Sequence, residues 1–222
     1  MLRPIQLACL FVIVLGPILC CSQTESTPVV TFTFDFPGSE PEHYSLSVSS
    51  NGAARYESSG RLSSDSDSEQ TDSFDFDFTL GAETRQRIFE LAAKAGYFQK
   101  DLDSRHKGLA FTGKKTLRYK DAQKSGESTY NYSSSPAVQE LTNLLQSLAA
   151  TLEHGHRLQY DFRYQKLALD EELKRMEELA RGNQLRDIAA IRPILDEIIA
   201  DQSVINVTRA RAQRMLERAG GN

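Results

Sequence analysis

The chain has 222 residues, 40% of them apolar and 25% charged, with a formal net charge of −4; that length and composition suit a folded protein with one medium core or two small ones. The three cysteines, Cys9, Cys20 and Cys21, all fall in the first 21 residues, which excludes a disulfide-framework toxin or growth-factor module. Acidity without a basic patch argues against nucleic acid and against anionic membrane as main partners.

The first segment, "MLRPIQLACLFVIVLGPILCCSQTES", places Arg3 ahead of an apolar run from Leu7 to Leu19, followed by small and polar residues. This is the layout of a secretory signal, and the run is short for a bilayer span. Cleavage after Ser22 is the expected outcome, giving a signal peptide over 1–22 and a cysteine-free mature chain of charge −5. Two alternatives stay open. Cys21 is a lipid-attachment residue in the second, because "ILCC" loosely resembles a bacterial lipobox, and the leader is an uncleaved anchor in the third. The acidity lies early: residues 23–156 carry 13 Lys/Arg against 19 Asp/Glu, and residues 157–222 carry 12 against 11.

From Val29 the pattern has period two, with Val30, Phe32, Phe34 and Phe36 alternating with Thr31, Thr33 and Asp35, as in a half-buried strand. "HYSLSVSSNGAARYES" repeats the alternation through Tyr44, Leu46, Val48, Ala54 and Tyr56. Asn51-Gly52 between its halves predicts a hairpin with a type I′ turn. The next stretch, "DSDSEQTDSFDFDFTL", begins like a calcium loop. An EF-hand starting at Asp65 needs Gly at its sixth position and Glu at its twelfth, where Gln70 and Phe76 stand. Phe74, Phe76, Phe78 and Leu80 instead predict a strand, after an acidic low-complexity loop over about 58–72.

"GAETRQRIFELAAKAGYF" switches to helical spacing through Ile88, Leu91, Ala92 and Ala95, with Gly96 as terminator. Extended runs follow at "KKTLRYKD" and "STYNYSS". A second helix is expected from Ser135-Pro136, capped by Ser135, with the stripe Val138, Leu141, Leu145, Leu148 and Leu152 and an end near Gly155. The order predicts an α+β fold: an antiparallel sheet with two helices on one face over 23–156, then an all-α segment of about three helices over 157–222. In that segment Leu158, Phe162, Leu169, Leu173, Met176 and Ala180 form one stripe, and Tyr160, Tyr164 and Leu167 a second, which is expected to be gripped by neighbours. "RGNQ" ends that helix, Pro193 starts or kinks the next, and Ser203 and Gly220-Gly221 bound the last.

The last two helices resemble a single HEAT-type pair in their Pro, Asp and apolar/Ala positions, a likeness of packing only. Through "NGAARY", "ETRQRIFELAAKAGYF", "PAVQELTNLLQSL" and "ELKRMEELARGNQL", most of the chain resembles uncharacterised exported bacterial α+β proteins. That resemblance implies a framework and no activity.

His154 and His156, beside Glu153, offer two imidazoles and a carboxylate for a divalent metal if Gly155 opens the helix; the competing reading is an exposed hinge. His43 and His106 read as solvated residues of polar turns. Asp75 and Asp77 read as outward carboxylates rather than an acid–base pair. Tyr130 and Tyr132 suit packing better than sugar or peptide binding. Arg209, Arg211, Arg214 and Arg218 are expected to pair with carboxylates of the preceding acidic helix. Asn131 and Asn206 head glycosylation sequons, relevant only in a eukaryotic host. There is no nucleophile elbow, phosphate loop or HExxH. No catalytic, cofactor-binding or metal residue is therefore assigned and no cofactor is expected. The expected role is a non-enzymatic interaction or structural module of the cell envelope with protein partners, membrane-bound only if lipidated at Cys21. The alternatives are an extracytoplasmic metal-dependent hydrolase, or an inhibitor or sensor of an envelope enzyme.

Overall fold

A computed structural model describes residues 27–60 and 72–220; the leader and most of the acidic loop lie outside the described residues. Six strands, β1 (Val29–Asp35), β2 (His43–Ser49), β3 (Ala53–Gly60), β4 (Asp72–Thr79), β5 (Lys114–Lys120) and β6 (Ser125–Tyr130), form one antiparallel sheet in the order β4-β3-β2-β1-β5-β6. Alternation decides its two faces. Val30, Phe32, Tyr44, Leu46, Val48, Tyr56 and Leu117 are buried inward, each large side chain contributing about 2–3 kcal/mol of transfer free energy. Outward stand Thr31, Ser47, Arg55, Asp75 and Asp77, with the Arg55 guanidinium forked among Glu57, Asp75 and Asp77. These exposed pairs add little stability.

The hairpin forms where expected, but its turn differs. Only Gly52 has positive φ, 99°, and its N–H donates to the Ser49 carbonyl at 2.9 Å, so a three-residue loop with glycine in the left-handed position replaces the two-residue type I′ turn. Asn51 keeps an ordinary backbone because its side-chain oxygen accepts from the Ala53 N–H at 3.0 Å.

Helix α1 (Ala82–Lys94) buries Ile88, Leu91 and Ala92 and ends at Gly96, whose φ of 65° begins a 3-10 turn, Gly96–Phe98. Helix α2 (Pro136–Tyr164) is the backbone of the molecule, with Pro136 in its first turn; Ser135 makes no side-chain cap hydrogen bond. Its 29 residues span about 43 Å, against about 24 Å across six strands, so it crosses the whole inner face and overhangs one edge. Three contacts mark the path: Tyr130 of β6 donates to Thr142 Oγ1 (2.5 Å), Tyr56 of β3 donates to Glu153 (2.7 Å), and Phe74 of β4 stacks on His156 with centroids 3.9 Å apart.

The expected end of this helix at Gly155 is corrected: α2 runs through Gly155, and the break comes at residues 165–168. Gly155 is there for close approach, since a Cβ on it would lie 2.5 Å from Ile191 Cγ2. A boundary drawn at 156 thus falls inside a helix, and one continuous buried cluster joins Phe32 and Leu148 to Leu173, Leu195 and Met215. Helix α3 (Leu169–Arg181) buries Leu169, Leu173 and Met176. A 3-10 turn, Ile188–Ile191, leads into α4 (Arg192–Ala200) with Pro193 in its first turn, and α4 packs on α5 (Asn206–Gly220). Ser203 is not the cap of α5, which starts three residues later; its N–H donates to Asp201 Oδ1 within the connecting turn.

Candidate functional site

In its C-terminal half α2 buries the polar residues Thr151, Glu153 and His154, the last facing buried Glu172 of α3. Consecutive helical residues point about 100° apart, so Glu153 and His154 leave α2 in different directions. Glu153 turns to the sheet and accepts from the Tyr56 hydroxyl, both side chains being buried. His154, also buried, shares a 2.5 Å hydrogen bond with Glu172 of α3. His156 lies flat against Phe74. The two histidines flagged by sequence are therefore neither an exposed hinge nor a joint ligand pair, and no group of three His, Cys, Asp or Glu among the described residues is placed to hold a metal.

Glu172 is the centre of a charge cluster. Arg157 approaches it at 3.8 Å and Arg175 at 3.6 Å. Burial alone would raise its pKa, but the His154 hydrogen bond and the two guanidinium groups together hold it below the usual value. Asp161, one turn beyond Arg157, shows the opposite balance. Burial and the neighbouring Glu172 charge push it up to about 6, with Arg157 opposing.

That shift has a sign that can be checked. With a folded pKa above the ordinary 3.8, Asp161 ionises at a cost to stability, a cost absent below pH 4 and complete above pH 6. Asp161→Asn is expected to raise stability at pH 7.5 by about 1 kcal/mol, two pKa units being discounted for partial solvent exposure. Urea denaturation at pH 7.5 and pH 4 checks it: the gain should vanish at the lower pH.

Between α2, the inner sheet face and the residues after β1 lies a cleft of about 190 Å³ lined by Glu40, Pro41, Tyr44, Tyr56, Gln146, Ala149, Ala150, Glu153, His154 and Arg157. Tyr44 and Tyr56 are tilted rings 5.8 Å apart. Both phenols are held protonated far above their ordinary range, chiefly by burial; the Glu153 charge adds to this, strongly at Tyr56 and as a minor contribution at Tyr44. Neither Tyr44, Tyr56 nor Gln146 is flagged by sequence. The available signal is the run Gln146, Ala149/Ala150, Glu153, Arg157 at spacings of three and four, a polar stripe with small residues at its middle beside the Leu145–Leu152 stripe.

A second feature is exposed rather than concave. Tyr160, Tyr164 and Leu167, expected to be gripped by neighbours, are instead 39%, 64% and 87% exposed. The correction follows from the longer α2, which carries Tyr160 and Tyr164 past the sheet edge, and from the break after it, which holds Leu167. Lys166 donates to Asp201 and Ser203, bringing the 165–168 connection to the turn that precedes Ile205 and Val207, also about half exposed.

The remaining sequence candidates are dispersed. His43 opens β2 and pairs with Asp35 at 2.5 Å, so it belongs to a strand rather than a turn, and His106 sits in an exposed loop. Asp75 and Asp77 face solvent beside Arg55. Tyr130 is core, whereas Tyr132 is exposed and accepts from Gln139. Asn131 is spent on a loop clasp, accepting from Thr112 N and donating to the Ala110 carbonyl, and Asn206 stands exposed at the start of α5. Arg211 and Arg214 pair with Asp170 and Glu177 of α3, two helices back, not with the preceding α4. Lys115, missed by sequence, is buried with its ammonium donating to the carbonyls of Thr112, Gly113 and Asn131, and burial lowers its pKa. That is a loop clamp satisfied by backbone oxygens.

No protein family matches this chain. No curated protein matches it either. Among the described residues no helix is long and apolar enough to cross a membrane.

Proposed function

We propose that this protein is an exported, non-enzymatic interaction module of the cell envelope, and that it engages a protein partner through the overhanging end of α2. The observation that carries this reading is the pair Tyr160 and Tyr164 at the end of α2, left in water by the fold, with Leu167 exposed in the connection that follows the helix. Exposed tyrosines are rigid anchors with low entropy cost on binding, and contiguous apolar exposure is uncommon on a surface with nothing to meet. Tyr160 and Tyr164 already pack on one another with centroids 5.0 Å apart, and Arg163 lies 5.9 Å from the Tyr164 ring. The partner surface this fits has an apolar socket with acidic groups at its rim. The leader pattern in residues 1–22 supports export, and lipidation at Cys21 remains part of the proposal as a second route to the same compartment.

A photo-crosslinking residue in place of Tyr164, introduced in the native host, tests the reading. A discrete adduct of two different proteins is expected from Tyr164 and not from Asp75 on the opposite face of the sheet, with its yield reduced by Tyr160→Ser/Leu167→Ser. Adducts at the mass of a homodimer, or equal labelling from both positions, would overturn it.

A further inference from the structure

In the wall of the cleft beside α2, Glu153 is a buried carboxylate that makes no ion pair among the described residues. Glu153 is 9% exposed, and its hydrogen bond among the described residues comes from a neutral phenol, Tyr56. The two cationic or protonatable side chains in the same wall are directed elsewhere: His154 Nδ1 to Glu172 at 2.5 Å, and Arg157 Nε to Glu172 at 3.8 Å. A carboxylate taken nine-tenths out of water is costly unless a cation or several donors reach it. Its neighbours are suited to a cation. Tyr44, 6% exposed, borders the cleft beside the buried Tyr56–Glu153 hydrogen bond, Ala149 and Ala150 leave room, and Glu40 adds a second negative charge among the lining residues.

We propose that this cleft binds an alkylammonium group, with Glu153 as its counter-charge and Glu40 as a second negative charge in the lining. The volume, about 190 Å³, is below the roughly 300–1,000 Å³ of clefts that hold drug-sized ligands, so the group enters on a short aliphatic stem. Such a group is either a free small amine or the lysine side chain of a bound polypeptide. The site is separate from the Tyr160–Leu167 strip and stands or falls without it.

Titration calorimetry on the purified protein with n-butylammonium chloride, n-butanol and Nα-acetyl-lysinamide tests this at constant ionic strength. Binding of n-butylammonium and not of the equally sized neutral alcohol is expected. Glu153→Gln, which keeps an acceptor for Tyr56 and so keeps the fold, is expected to weaken binding at least about tenfold, whereas Arg157→Gln removes a nearby positive charge and is expected to leave it equal or tighter. Binding of Nα-acetyl-lysinamide as well as n-butylammonium identifies a lysine side chain as the ligand; binding of n-butylammonium alone identifies a free amine. Equal binding of alcohol and ammonium, an unchanged affinity in Glu153→Gln, or no heat with any probe overturns the proposal.

Discussion

Gly126→Ala is expected to destabilise the protein by about 3 kcal/mol, through a contact that one methyl group cannot share. A Cβ on Gly126 of β6 would lie 2.1 Å from the Tyr97 carbonyl oxygen and 3.0 Å from both the Phe98 carbonyl carbon and the Gln99 nitrogen. All three are backbone atoms, so no side chain can rotate away. Either β6 leaves β5 or the 96–98 turn lifts and withdraws Phe98, which is fully buried. Overpacking in a core costs about 1–3 kcal/mol, and loosening a buried aromatic adds to it. Gly182→Ala is the matched control: its φ is −82° and the nearest atom to a new Cβ lies at an ordinary 3.5 Å. Urea midpoints of the two variants should separate clearly, and similar midpoints would show that the 96–98 turn yields freely.

The sheet is legible in the sequence because period-two alternation is a local property. Phe32, Tyr44, Tyr56 and Leu117 point inward wherever register places them, and five strands stand where the alternation predicts them; β6 (Ser125–Tyr130) begins three residues before the expected run 128–134 and ends four before its end. The helices carry the same signal for their buried stripes but not for their ends. Gly155 reads locally as a stop, yet it is a contact surface for Ile191, 36 positions later in the chain. Residues 165–168 contain neither Gly nor Pro and read as continuous helix, although the chain turns there and Lys166 fastens the turn to Asp201. Tertiary partners decide both cases, and no local window contains them.

The candidate site shows the same limit more sharply. His154 and His156 attracted notice as a pair two residues apart, but a continuous helix sends them to different neighbours, Glu172 and Phe74. Glu153, the third member of that group, meets Tyr56 across 97 positions of sequence. Composition therefore located the polar part of α2, whereas its function depends on which strands and helices face it.

Glu177→Ala, which removes a buried carboxylate between α3 and α5, is expected to cost about 2–3 kcal/mol at neutral pH. Glu177 is 5% exposed. Arg211 Nη1 lies 2.6 Å from one of its oxygens and Arg214 Nε 3.0 Å from the other, and Arg211 also reaches Asp170 at 2.9 Å. Removing one member of a buried, hydrogen-bonded ion pair costs more than the pair contributes, because the remaining cations lose their counter-charge. Burial alone would raise the pKa of Glu177, but the hydrogen bonds and charges of Arg214 and Arg211 hold it below its ordinary value. A depressed carboxylate pKa stabilises the folded state above the unfolded pKa, and that contribution is lost as pH falls through the folded value. The penalty of Glu177→Ala should therefore be complete at pH 7 and shrink below about pH 4. Measured by urea denaturation across that range, a penalty independent of pH would assign the loss to packing rather than to charge.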